Sequence, residues 1–279
     1  MLKKIDQAQL FLEEQVALFR CPICQSAFKV TDSGVACHNA HRFDLSKKGT
    51  LFFLNHALKS EYDQTLFQAR GRMIHAGMYE RLLERLRPYL TNQKVLDIGC
   101  GEGSFLSLLA QAANPTVTIG FDIAKEGVYQ ATNQTAGDFW CTADLTNLPF
   151  ADASFDCLLN IFSPSNYQEF KRILAPSGKL IKIVPGARYL QELRQAFYPD
   201  DEQKQRYSNE KVVEKFTQEF TNVTREQITY EFAIPDARQV DILEMSPLEW
   251  GVTSERKAFL QNNPIKFVTI DLEILVGTA

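Results

Sequence analysis

Four residues near the start of the chain have the types and spacing of a metal site. Cys21 and Cys24 are separated by Pro22-Ile23, and Cys37 and His41 follow after twelve residues. Two thiolates two residues apart can grip one ion from a tight turn, and a second pair completes the tetrahedron that Zn²⁺ prefers. The gap is long enough for a hairpin to bring the pairs together. His38 is the rival fourth ligand, but it is adjacent to Cys37, and neighbouring side chains rarely converge on one ion. Four protein ligands leave no open coordination position, so the ion's role is structural and any catalysis lies elsewhere. A lone Cys-x-x-Cys would equally suit a redox pair. Here, however, the segment 20–55 offers only Phe28, Phe43, Leu51, Phe52 and Phe53 as bulky apolar anchors. That is too few for an independent core. Behind the ligands, Arg42, Lys47, Lys48 and Lys59 suit phosphate contacts.

The second constellation is Val95-Leu96-Asp97-Ile98-Gly99-Cys100-Gly101-Glu102-Gly103. An apolar strand runs into Gly-x-Gly-x-Gly, where missing side chains let a ligand approach the backbone. The spacing differs from the dinucleotide pattern Gly-x-Gly-x-x-Gly. Asp122 ends the next apolar run, where a carboxylate can accept both hydroxyls of a ribose. Asp144-Leu145 follows the third, where an adenine edge would lie. A loop carrying Asp97 and Glu102 is too acidic for a pyrophosphate and suits a cationic ligand. Cys141 and Cys157 lie in apolar patterns without a cationic neighbour, so they read as inert thiols and not as nucleophiles.

These residues need elements to hold them. Strands are expected at 94–98, 116–121, 139–142, 155–161 and 179–184, with helical segments between most of them. That alternation predicts an α/β domain with a parallel sheet covered on both faces. Two further strands are expected at 228–234 and 267–276, with a helix at 247–261 between them. Helical patterns also occupy 5–19 and 61–90. The implied organisation is an N-terminal helix and zinc module (1–55), a helical linker (56–90) and a main domain (91–279) with a charged helical insertion at 186–218.

Net charge is −4, which alone argues mildly against a polyanionic partner. Its distribution is uneven: residues 1–90 hold 13 Lys and Arg against 9 Asp and Glu, and the remainder 17 against 25. Basic character is therefore concentrated at the front. No apolar run approaches a membrane span, and a cytoplasmic location is the default expectation.

Asp97-Ile98-Gly99-Cys100-Gly101-Glu102-Gly103, with Asp122 and Asp144, resembles the class I S-adenosylmethionine-dependent methyltransferases. The resemblance implies a Rossmann-like fold with a mostly parallel seven-stranded sheet. It also implies that the loop (Gly99, Gly101, Glu102, Gly103, after Asp97) contacts the amino-acid part of the cofactor, Asp122 the ribose, and Asp144 with Leu145 the adenine. Over nearly the whole chain there is a closer likeness. Cys21-Pro22-Ile23-Cys24, Cys37-x3-His41-Arg42-Phe43-Asp44, Lys47-Lys48-Gly49 and Arg70-x6-Gly77-x-Tyr79 precede that core. The chain thus resembles the RlmA-type 23S rRNA (guanine-N1)-methyltransferases, which include macrolide-resistance enzymes of Gram-positive bacteria. This implies methylation of guanine N1 in a 23S rRNA hairpin, a zinc module that grips the RNA, and a homodimer as one assembly open to the family. Tyr79 matches a family tyrosine at the cofactor; Tyr189 stands where other members have His. Asn160-Ile161-Phe162-Ser163-Pro164 falls where such enzymes present the target base, with Asn160 placed to bond a base edge and Phe162 to stack. No residue identifies itself as the general base. The competing expectation is a small-molecule methyltransferase whose zinc module serves as a lid.

Overall fold

A computed structural model describes residues 2–55, 62–134 and 137–278; Lys59 lies outside the described residues. The strands, in chain order, are β1 (Phe28–Thr31), β2 (Gly34–Cys37), β3 (Arg42–Asp44), β4 (Thr50–Phe52), β5 (Lys94–Ile98), β6 (Val117–Asp122), β7 (Phe139–Thr142), β8 (Phe155–Ile161), β9 (Leu174–Pro185), β10 (Asn222–Ala233) and β11 (Phe267–Thr278). Strands β1–β3 form a small antiparallel sheet, and the rest form one large sheet in the order β10-β11-β9-β8-β5-β6-β7-β4. All pairings from β9 to β4 are parallel, while β10 and β11 are antiparallel additions. Strands β5, β6 and β7 are buried almost end to end. Strands covered on both faces read as continuous apolar runs, which is why they stood out in the sequence.

The structure departs from expectation at two places. The large sheet has eight strands and not seven, because β4 comes from the zinc module and pairs in parallel with β7, Leu51 opposite Cys141. A three-residue strand carries no alternation to read. Strand β10 begins at Asn222, well before 228, because its first half presents Thr224, Arg225, Glu226 and Gln227 to solvent. Charge along an outer strand is also what discourages unwanted pairing at a sheet edge.

The module and the sheet share one apolar core. Phe11 stacks on Phe139 at 4.7 Å, and Phe19 meets Phe139 edge-on at 5.6 Å and Phe150 at 5.5 Å. Phe53, at the end of β4, lies 6.3 Å from Phe19 and 6.2 Å from Phe28. Hydrogen bonds close the seam: the Arg20 and Phe53 amides donate to the carbonyls of Pro149 and Thr142, and the Asn147 side chain donates to the carbonyl of Pro22. On the opposite face, Met73, Tyr79, Leu82, Phe105 and Leu109 cover the sheet from the helices Gln64–His75, Glu80–Leu86 and Ser104–Ala113 and the turn between the first two. The expected insertion comprises the helices Gln191–Phe197, Glu202–Gln205 and Glu210–Glu219.

Phe19 is 1% exposed and bridges module and sheet. Phe19→Ala is expected to lower stability by about 3–5 kcal/mol, measured as a reduced urea midpoint. Because the core is shared, unfolding should remain a single transition. Two separated transitions would show a module that folds by itself.

Candidate functional site

The four sequence-predicted ligands converge. The ligand atoms of Cys21, Cys24, Cys37 and His41 all lie within 4.8 Å of one another. His41 Nδ1 is 3.4 Å from the sulfurs of Cys21 and Cys37, and Cys24 Sγ is 3.6 Å from Cys37 Sγ. A tetrahedral ion with Zn–S bonds of about 2.3 Å spaces its sulfurs about 3.8 Å apart, so the cluster fits Zn²⁺. Each pair sits on a tight knuckle. The amide of Gln25 donates to the Cys21 carbonyl and that of Ala40 to the Cys37 carbonyl, with Gln25 and Ala40 in left-handed conformation. The Ser26 hydroxyl and amide hold the Cys24 thiol low, at about 5, toward the thiolate that a cation needs.

The glycine loop follows β5. Its three glycines have φ of 70°, 55° and 81°. A Cβ on Gly99 would come within 2.6 Å of Ser163, and one on Gly103 within 2.6 Å of the Trp140 ring. Gly103 therefore serves the packing of the loop on β7, while Gly99 and Gly101 line a cavity of about 260 Å³. Asp122, Ala143, Leu145 and Phe162 are among its other walls. Both Asp122 oxygens are fixed by backbone amides, those of Gly101 and Ala124, each at 2.8 Å.

Carboxylates concentrate around this loop. Burial, aided by the charges of Asp122 and Glu102, pushes Asp97 up to about 8, and burial pushes Glu102 up to about 7. Burial raises Asp122 as well, against an opposing pull from its amide donors and Arg70. Such a cluster favours a ligand that brings positive charge, and S-adenosylmethionine carries a sulfonium and an ammonium.

Other expected cofactor residues sit differently. Glu102 accepts from the Ser104 amide and hydroxyl and from Gln134, and it lines a separate cavity with His75. Asp144 accepts from the Thr146 amide at the rim, between Ala143 and Leu145. Tyr79 and Tyr189 are joined hydroxyl to hydroxyl at 2.5 Å and line an adjoining cavity, where Tyr189 stacks on Phe162 at 5.6 Å. Burial holds the Tyr79 phenol well above its ordinary value, so it is a neutral hydroxyl.

Of the substrate residues, Phe162 alone lines the cavity beside the glycine loop. Its left-handed backbone (φ 56°) turns its ring into the wall that both hollows share. Asn160 is fully buried and saturated: it donates to Ser163 Oγ and the Pro164 carbonyl and accepts from Lys182 and Ser165. These bonds shape the loop that carries Phe162. Lys182 is buried beside it, which no periodicity foretold. Lys47 is exposed and Lys48 lies over the Tyr129 ring at 4.8 Å, whereas Arg42 is committed to Asp44 and Ser33. Cys141 and Cys157 are buried and their thiols raised, Cys157 to about 12, so neither is a nucleophile. Sequence reasoning missed Tyr62, Phe67 and Arg70, which close the cofactor cavity from the helix Gln64–His75 and its approach. Arg70 belonged to a recognised motif, but nothing local revealed its direction.

Comparison with known proteins agrees with this geometry. Residues 96–182 match the methyltransferase-domain family, and residues 19–55 match the zinc-ribbon family described as RlmA, N-terminal. YxjB of Bacillus subtilis (strain 168), named as a candidate 23S rRNA (guanine-N(1)-)-methyltransferase, is 35% identical over 274 residues, covering 94% of this chain and 97% of the relative. The 23S rRNA (guanine(748)-N(1))-methyltransferase of Streptomyces fradiae is 30% identical over 192 residues, 64% of this chain and 67% of that one. Among solved structures, a chain from the Haloferax volcanii complex of the Trm112 methyltransferase activator with its methyltransferase superposes with a TM-score of 0.52. It is 21% identical and covers 80% of this chain and 99% of that one, a likeness of fold.

Two predictions follow from the charges and the ion. With Asp97 at about 8 and Glu102 at about 7, both carboxyls hold protons in slightly acidic solution. A cationic ligand favours their ionised forms, so binding releases protons and affinity rises with pH. Calorimetry should show several-fold tighter S-adenosylmethionine binding at about pH 7.5 than at about pH 6, below the titration of the ligand's own amine. Asp97→Asn should flatten that slope. Chelation should release about one zinc per chain and lower the melting temperature of the whole chain, because the module shares its core with the sheet.

Proposed function

Because this chain belongs to the RlmA-type 23S rRNA (guanine-N1)-methyltransferases, we propose that it methylates N1 of a guanine in a 23S rRNA hairpin loop. The observation that carries this reading is the end-to-end match to a relative named as a 23S rRNA (guanine-N1)-methyltransferase, in a chain that itself matches both the zinc-ribbon and the methyltransferase-domain families.

When bound, S-adenosylmethionine would supply a sulfonium methyl for guanine N1 and leave as S-adenosylhomocysteine, the N1 proton passing to solvent. In this reading Asp122, held by two amides, accepts the ribose hydroxyls. Ala143 and Leu145 flank the adenine, with Asp144 at its edge. The buried carboxylates match the cationic end, and the Lys182–Asn160–Ser163 network fixes the loop that presents Phe162 to the base. Positioning of the two reactants supplies much of the acceleration. The zinc module contributes to RNA recognition through Lys47 and Lys48. A ribosomal substrate places the enzyme in the cytoplasm; no helix among the described residues is long and apolar enough to cross a membrane.

The test is methyl transfer from labelled S-adenosylmethionine to unmodified 23S rRNA, mapped by primer extension. N1-methylation blocks Watson–Crick pairing, so one strong stop next to a hairpin guanine is expected. Label absent from RNA while the cofactor still binds would favour a small-molecule acceptor. Lys47→Glu with Lys48→Glu should cut RNA methylation several-fold and leave cofactor affinity unchanged.

A further inference from the structure

A second hollow of about 430 Å³ lies against the cofactor cavity and shares Tyr62, Arg70 and Phe162 with it. The two differ in their charged walls. Asp122 and Arg70 line the cofactor cavity, whereas no Asp or Glu lines the second hollow among the described residues; its charged walls are Arg70, Arg194, Lys204 and Arg206. Arg194 is locked with its charge in place, its guanidinium donating to the carbonyls of Ala187, Tyr189 and Gln205 and to no carboxylate. Aromatic rings form the floor, with Tyr79 and Phe105 behind the stacked pair Phe162–Tyr189. In a chain of net charge −4, a cationic and aromatic hollow beside the methyl donor is suited to a base with its phosphates.

A line of rings runs along its border with the cofactor cavity, sharing Tyr62 with both. Trp250 is 47% exposed and meets Tyr62 edge-on at 5.3 Å, and Tyr62 stacks on Phe67 at 6.0 Å. Trp250 and Tyr62 together make a contiguous exposed aromatic surface, the kind that can mark a binding site where a lone exposed ring does not. Across the hollow, Tyr207 and Arg206 form the other rim; Arg206 is solvent-exposed and, among the described residues, forms its ion pair with the equally exposed Glu202, a pair that water screens.

We propose that this hollow receives the extruded target guanine, with Trp250 and Tyr62 stacking a neighbouring base and Arg206 and Lys204 holding flanking phosphates. The assignment rests on the RNA-methylating activity inferred above and gives that activity its substrate pocket. N1 sits on the edge that pairs in a duplex, so the base must leave its stack to meet the methyl group, and a ring-lined hollow beside the cofactor offers it a replacement stack. Phe162, common to both cavities, stands where base and methyl donor meet.

The chain's two tryptophans make the test direct. Trp140 is 5% exposed, leaving Trp250 as the solvent-accessible emitter. Titrating the zinc-loaded enzyme with a short hairpin of the mapped sequence should quench fluorescence, and Trp250→Phe should remove most of that quenching. Trp250→Ala and Arg206→Glu, both at exposed positions, should each raise the KM for the hairpin at least five-fold, with S-adenosylmethionine affinity unchanged. A hairpin methylated with unchanged KM by both variants, or quenching that persists in Trp250→Phe, would overturn the assignment while leaving the activity in place. A wild-type enzyme that methylates no RNA would remove the activity itself, and the pocket with it.

Discussion

The zinc ribbon has too few apolar side chains to fold on its own, and the arrangement of the whole front of the molecule follows from that shortage. The ion ties two knuckles together, but the apolar anchors beyond them find their partners on the large sheet. Phe19 packs onto Phe139 and Phe150 and carries Phe53 on its other side, and Leu51 enters the sheet itself as part of β4, beside β7. The ribbon is therefore fixed relative to the catalytic core and not tethered to it. For an enzyme that must hold a folded RNA at one end while a single base reaches the cofactor, a fixed distance between grip and site matters more than the grip's own affinity.

What could be read from the sequence, and what could not, divides along physical lines. The central strands were legible because burial on both faces leaves an unbroken apolar run, and the zinc ligands because a tetrahedral ion dictates residue types and spacing. Asp122 was legible because it ends a strand beside the glycine loop. Asn160 was open to two readings, a base-reading amide or a turn-forming one; in the structure a buried lysine from β9 binds it, and lysine burial leaves no mark in the chain. Tyr79 and Tyr189 stand beside the glycine-loop pocket, across Phe162, a placement that depends on one left-handed residue. The cationic wall of the second hollow was hidden for another reason. Arg70, Arg194 and Arg206 come from segments far apart, so no local spacing relates them.

Overall acidity is a poor guide to partners when charge is segregated. The carboxylates of this chain include a cluster, Asp97, Glu102 and Asp122, that is buried and raised, and so contributes less negative field than a formal count assigns. The cations of the adjoining hollow are close together and face a concave surface, where field lines are focused. The sign of the potential that an approaching nucleic acid meets is set by that local geometry, not by the sum over the chain.

Strand β7 has neighbours of two kinds. Along one edge it carries β4 and with it the zinc module; at its end it runs into Ala143 and Leu145, which wall the cofactor cavity. The zinc module and the proposed cofactor pocket thus lie at the side and at the end of one four-residue strand. Whatever free energy passes between them through this strand must be the same in both senses: to the degree that the ion tightens cofactor binding, the cofactor tightens binding of the ion. A working enzyme saturated with S-adenosylmethionine is then also the form that best keeps its zinc when the metal is scarce.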